Sequence, residues 1–396
     1  MTVDRSISTA LDSRQPSRQR LDSVDLLRGL VMVVMALDHV RDYLTNLRFQ
    51  PEDLDRTTPA LFMTRWGTHF CAPTFMFLVG VGMSLAHQRG KTKPELARFL
   101  LTRGIWLIFL EFTVVNFGWA FNFNYSNGLL LLVLWALGMC MICLAGLIFL
   151  PRPAIAAIAL GMIVAHNAFD STQPPGSGIL ATLWSILHRF GPIAGGRIFV
   201  LYPLIPWIGV MAAGFLFGPI ITADPRVRQS RLLVIGLSLT VAFVLLRTLN
   251  HYGDPNPWSK QKDATFTVLS FLNTTKYPPS LEFLLMTLGP AIASLALFDR
   301  ADGPFARYFI TIGRVPFFFY LLHIYLIHAV ALLIGMIQGI NIRAMISPFP
   351  EFPDKYGTGL PVIYAVWLGV VMILYRPCRW FAGVKQRSKT AWLSYL

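Results

Sequence analysis

The side chains with most chemical reach in this sequence are histidines and carboxylates set among apolar residues. Asp38, His39, Arg41 and Asp42 cluster near the end of an apolar run that begins at residue 27. On a helix, Asp38 and Asp42 are i,i+4 neighbours and His39 stands three residues before Asp42, so one face can present an imidazole beside a carboxylate. That arrangement suits general-base chemistry. An imidazole with an ordinary pKa near ~6.5 takes a proton from an attacking amine or hydroxyl, and Asp38 or Asp42 orients the ring. Arg41 and Asp42 also read as charges snorkelling to water at a helix end. A second histidine follows in Trp66-Gly67-Thr68-His69-Phe70-Cys71-Ala72-Pro73. His69 is expected at a depth similar to that of His39 on the adjacent helix, either as its catalytic partner or as a hydrogen-bonded interfacial residue. Asn116 or Tyr277 could donate to a developing oxyanion, although Asn116 also suits a bond between helices.

Other candidates concern binding. Lys276, Tyr277 and Glu282 lie in a turn-rich stretch that opens an apolar run, as a substrate-binding set or as interfacial charges. His323 and His328 are about 140° apart on a helix, so at most one faces a shared cavity. His323, nearer the middle of its run, is the one expected to meet substrate. Asp25 and Arg28 are i,i+3 at the start of the first run, and with Arg89, Lys91 and Arg314 they could hold a polyphosphate or simply anchor the chain. Glu111 is expected to form a structural ion pair across the bundle. Cys140 and Cys143 form a CxxC in a Leu/Met-rich run, where small packing residues are expected rather than a redox or zinc pair. No His, Cys and carboxylate set has ligand spacing, and no metal is expected.

The elements that position these residues follow from composition. Hydrophobic residues make up 55% of the 396 and charged ones 14%, against roughly 25% charged in soluble domains. Ten apolar blocks are visible: 27–44, 68–87, 99–121, 128–149, 152–168, 198–220, 231–249, 279–298, 308–335 and 360–375. Each approaches the ~20 residues that cross a bilayer as a helix. Lipid offers backbone groups no partner, so only helices or closed barrels span it, and runs such as Leu129 to Leu137 lack the alternation of a barrel strand. The expected fold is all-α: a polytopic membrane bundle of about ten helices.

Assigning loops alternately to two sides puts 21 of the 34 basic residues on the side that holds both termini, which makes that side cytoplasmic. The net charge of +14 then needs no nucleic-acid partner. Residues 1–25 are expected to be a disordered tail without a signal peptide, 26–376 the membrane domain and 377–396 a basic cytoplasmic tail.

The run from Arg20 to Gly29, the apolar helix after it and Asp38-His39 resemble the first membrane helix of the transmembrane acyltransferases. With Trp66 to Gly82, Lys276-Tyr277-Pro278-Pro279-Ser280 and Gly313-Arg314-Val315-Pro316-Phe317 through His323, the chain resembles the bacterial branch of the heparan-α-glucosaminide N-acetyltransferase catalytic-domain family. The resemblance implies a multi-pass protein of the bacterial inner membrane. It also implies an acetyl group passing from cytoplasmic acetyl-CoA to an amine or hydroxyl of a sugar or glycan on the far side. Arg28 and the basic inner loops would hold the CoA phosphates. The related acyltransferase-3 family has an essential histidine at the His39 position. One departure matters: the animal N-acetyltransferase has its active histidine between the first two spans, and residues 44–68 here contain none. His39, with His69, is therefore expected to fill the role. A proton-coupled carrier exporting a small amphipathic solute is the alternative from another class, and a non-catalytic assembly partner is a third; the lack of an internal repeat favours the enzyme. A homo-oligomer is compatible with the sequence.

Overall fold

Apolar runs become helices here because each backbone N–H and C=O must find its partner inside the segment. The computed structural model describes residues 22–123, 125, 128–172, 178–346, 352–388 and 390, so most of the expected N-terminal tail lies outside the described residues. The helices are α1 (Asp22–Leu44), α2 (Pro59–Thr68), α3 (Cys71–Gln88), α4 (Lys93–Leu110), α5 (Asn116–Ala120), α6 (Val133–Leu147), α7 (Arg152–Val164), α8 (Ile179–His188), α9 (Leu204–Leu216) and α10 (Gly218–Ile221). They continue as α11 (Pro225–Leu249), α12 (Ala264–Leu272), α13 (Leu281–Phe298), α14 (Pro304–Gly313), α15 (Pro316–Ile337), α16 (Ile342–Met345) and α17 (Leu360–Arg387). Among the described residues six stretches are long and apolar enough to cross a membrane: Pro59–Gln88, Lys93–Ala120, Pro225–Leu249, Leu281–Phe298, Pro316–Ile337 and Leu360–Arg387. The fold is an all-α polytopic bundle.

Helix α1 carries too many charges to count among those six, yet it is buried along most of its length and is packed by α14, α15, α17, α13, α2 and α3. Of its charged side chains Asp25, Asp38 and Arg41 are buried against protein, the usual condition for ionisable groups at membrane depth. By contrast, α11 and α17 expose large apolar side chains such as Val234, Leu237, Val241, Leu368, Met372 and Ile373, a surface suited to lipid.

Three expectations about the blocks are corrected. Leu129–Leu131 is not helical: it forms β1, which pairs in parallel with β3 (Ile198–Val200), while β2 (Gly191–Ile193) pairs antiparallel on the other edge of β3. Strand pairing satisfies this backbone as a helix would, and α6 starts only at Val133. Block 308–335 is two helices, broken at Arg314-Val315. Pro316, at the first turn of α15, has no N–H with which to continue α14 and disfavours helical geometry at Val315. The last helix runs to Arg387, beyond the block end at 375.

Close backbone approaches set the positions of two functional segments. A Cβ on Gly29 would lie 1.9 Å from the Phe309 carbonyl oxygen, and one on Gly313 would lie 1.8 Å from that of Asp25. These glycines let α14 press against α1 and bring Arg314 beside Asp25 and Arg28. Gly214 approaches Phe77 in the same way, with a Cβ only 2.1 Å from its carbonyl oxygen, and Gly218, four residues on, lies as close to Ser84, a small-residue pair of the kind that lets helices pack tightly.

Candidate active site

His39 sits on α1, one helical turn before Tyr43. Its Nδ1 is 2.7 Å from Nε2 of His323 on α15, and the two rings are stacked with centroids 4.9 Å apart. His323 is completely buried. Its Nδ1 faces two carbonyl oxygens of its own helix, Phe319 at 3.2 Å and Tyr320 in a shorter contact. A carbonyl oxygen only accepts, so Nδ1 of His323 carries the hydrogen and Nε2 offers its lone pair. His39 must then donate from Nδ1, which leaves the lone pair on Nε2. The helix backbone thereby fixes the tautomer of both rings. Trp119 meets the His39 ring edge-on, with centroids 4.9 Å apart.

The His39 ring lines a cavity of about 650 Å³ whose other walls include Asp38, Arg65, Cys71, Trp119, Tyr202, Lys276, Tyr277 and Tyr320. A smaller cavity of about 310 Å³, lined by Arg28, Arg103, Arg314 and Lys385 and by apolar side chains, lies toward the end where α1 begins and α17 finishes. Met35, Phe75, Val133 and Tyr320 line both, so the two cavities meet at a collar of these side chains. Arg314 also lines an open vestibule of about 1170 Å³ with Arg89, Arg228 and Arg307. The loops grouped by charge as cytoplasmic meet around this vestibule, and those of the opposite group meet around His39.

The carboxylates beside His39 do not orient it. Asp38 is bound between Arg41 at 2.8 Å and Arg65 at 2.6 Å. Arg41, only 4% exposed, also reaches Asp42 at 2.5 Å, so it does not snorkel. Arg65 reaches Glu52 at 2.7 Å. A cationic pair clamps the acids because ionised groups at this depth need direct partners, and His39 turns instead to His323. His69 lies at the junction of α2 and α3, buried, with Nε2 3.4 Å from Glu52 Oε1 and its ring against Phe283. It is not a lining residue of the His39 cavity.

Other expectations are corrected by placement. Asn116 lies outside the cavity, and Trp119, one turn later, is the residue of that helix that lines it. Glu111 forms no ion pair among the described residues; its Oε2 accepts the backbone N–H groups of Leu134 and Trp135 and so caps α6. Glu282 is buried against Arg247 at 2.8 Å rather than presented to substrate. His323 stands behind His39 instead of lining the cavity. His328 bonds the Gly118 carbonyl through Nδ1 at 3.0 Å, with its ring on Phe121, away from the cavity. Asp25 pairs with Arg28 at 3.1 Å and neighbours Arg314 at 3.8 Å, so it serves as their counter-ion. Lys91 is exposed and rests over Phe99. Lys276 and Tyr277 do line the cavity; Asp254 holds their loop, accepting from Thr275 N at 2.7 Å and Ser280 Oγ at 2.6 Å.

Residues 20–250 match the family described as heparan-alpha-glucosaminide N-acetyltransferase, catalytic. This is more than half of the chain. The chain belongs to that family. Membership places it among the membrane-embedded acetyltransferases, whose general co-substrate is acetyl-CoA. Among curated proteins none matches the chain. The N-acetyltransferase match contains His39, Arg28, Arg65 and Trp119, whereas His323, Lys276 and Arg314 lie beyond residue 250. Sequence reasoning missed Arg65, Glu52, Arg103 and Trp119 as parts of the site. The signal for Arg65 was present, as a lone cation one residue before Trp66 in the apolar stretch; Glu52, in a polar loop, gave none.

The ion cluster of this acetyltransferase has a pH signature through Glu52, which lies in the loop after α1. Burial would raise its carboxyl, but Arg65 and the His69 ring hold it well below the ordinary carboxylate range. A carboxylate with a depressed folded-state value contributes its stability fully above the unfolded value of about 4.3 and loses it as pH falls toward the folded one. Glu52→Gln should cost about 1–2 kcal/mol at neutral pH, and the deficit should shrink below pH ~4. Thermal unfolding in detergent at both pH values measures this, and a deficit equal at both would contradict it.

Proposed function

We propose that this chain moves an acetyl group from acetyl-CoA, bound from the cytoplasmic side, to an amine or hydroxyl of a sugar that reaches His39 from the opposite side. One observation carries the reading: a basic inner cavity and the cavity of His39 meet at a single collar. Arg28, Arg103, Arg314 and Lys385 offer charge for the CoA phosphates at the inner end. The apolar walls between them and Tyr320 suit a pantetheine arm, with the thioester at the collar.

The acceptor nitrogen or oxygen attacks the thioester carbonyl carbon as Nε2 of His39 takes its proton. The new C–N or C–O bond forms, the C–S bond breaks, and the CoA thiolate leaves, to be protonated by the His39 imidazolium. His323 supports this cycle by accepting from Nδ1–H of His39, which keeps the basic nitrogen at Nε2. Tyr320 and Tyr277 are the hydroxyls of the cavity wall suited to a developing oxyanion.

Arg314→Ala should raise KM for acetyl-CoA about tenfold with a smaller change in kcat, the effect of losing one charge-assisted contact of ~1.5 kcal/mol made before chemistry. An unchanged KM would remove Arg314 from the donor site. The reading as a whole is tested with purified protein and acetyl-labelled CoA. Label on an amino sugar or a sugar hydroxyl supports it. Sugar accumulation in proteoliposomes without acetyl-CoA, and no label transfer, would replace it with a carrier.

A further inference from the structure

Lys276 sits between α12 and α13 with 9% of its surface exposed and lines the cavity that holds His39. The other cations of that cavity are engaged: Arg41 by Asp38 and Asp42, Arg65 by Asp38 and Glu52. Among the described residues no carboxylate lies at ion-pair distance from Lys276. The ammonium lies over the face of Tyr277, whose ring centroid is 5.2 Å from Nζ, and it acts on Asp38 through charge from beyond ion-pair distance. An ammonium so far withdrawn from water is costly unless an anion joins it, and here the open side of that ammonium is the cavity itself. The wall next to it is aromatic. Phe190 stacks on Tyr277 at 5.7 Å, and Tyr202 meets Tyr277 edge-on at 5.3 Å, flat faces of the kind that pack on a sugar ring.

We infer that the acceptor carries an anionic group, a carboxylate or phosphate on the sugar, which pairs with Lys276 while its amine or hydroxyl meets His39. This rests on the transferase reading for the role of His39, but the anion site itself does not. Lys276 is then a specificity-determining residue: the aromatic wall accepts any pyranose, and the ammonium selects the charged one. Arg41 and Arg65 pair with Asp38, Asp42 and Glu52, which offsets two of their three negative charges and lessens the repulsion that an anionic ligand would meet.

The test compares acceptors in pairs that differ in charge: glucose with glucuronate, and glucosamine with glucosamine 6-phosphate. The wild-type protein should favour the anionic member of at least one pair by about 10–100-fold in kcat/KM, the range of one charge-assisted contact. The pair that responds distinguishes carboxylate from phosphate. Lys276→Gln should erase most of the preference through KM for the anionic acceptor, and Lys276→Arg should keep it. Equal use of both members by the wild type would overturn the inference. So would an equal loss for both in Lys276→Gln, which would mark Lys276 as a counter-charge to Asp38 only. Equilibrium binding of labelled glucuronate and of glucosamine 6-phosphate, without acetyl-CoA, separates the two readings. Lys276-dependent binding with no acetylation leaves the anion site and removes the transferase; acetylation with no charge preference does the reverse.

Discussion

His39→Ala protein should fold, bind acetyl-CoA with little change in affinity, and transfer acetyl groups about 10²–10⁴-fold more slowly than wild type, the usual contribution of a positioned general base. The loss should fall on kcat, because the proton leaves the acceptor only in the transition state. The ring contributes little to the fold by its own contacts: it faces a cavity and, among the described residues, its hydrogen bond is to His323. Its removal leaves Nε2 of His323 without a partner, at a cost of about 1–3 kcal/mol. Circular dichroism and a thermal melt therefore belong beside the rate measurement. Wild-type turnover in a folded His39→Ala protein would take His39 out of the chemistry.

The second large effect is expected at a residue that never touches the cavity. His323→Ala removes the acceptor that holds the hydrogen of His39 on Nδ1, so His39 can adopt the tautomer that hides its lone pair from substrate. A kcat loss of about 10²-fold is expected, with KM for both substrates nearly unchanged, because orienting a catalytic base is itself worth a large share of its effect. The control is His323→Gln. Its side-chain carbonyl can accept from His39 Nδ1 and should restore a good part of the rate, whereas His323→Leu should not. If Gln and Leu behave alike, His323 is a packing residue and not a positioning one.

How much of this was legible in the sequence depends on how local each signal is. The bundle was visible because apolar runs of bilayer length have no soluble alternative, and His39 stood out because an ionisable residue near the end of such a run needs a reason. Its partner did not stand out as a partner. His323 lies 284 residues away, and no periodicity of either helix says that the two faces meet. The assignment of Asp38 as the orienting acid failed for a related reason. Helical spacing brings carboxylate and ring near one another, but Arg65 from α2 competes for the same carboxylate and, as a cation, wins. Glu282 followed the same course with Arg247. The strand Leu129–Leu131 was illegible because a short leucine run has no period that distinguishes strand from helix. The break at Arg314 had a signal in Pro316 that reading 308–335 as one block passed over, and it places that guanidinium where vestibule and inner cavity share a wall.

The claim beneath all of these is that donor and acceptor approach one histidine from opposite faces of the membrane. Proteoliposomes loaded with an amino sugar or uronate, washed, and then given acetyl-labelled CoA outside test it directly. Labelled product should accumulate inside the vesicles, and the same vesicles made with His39→Ala protein should hold none. Product formed only when donor and acceptor share a compartment would contradict the account.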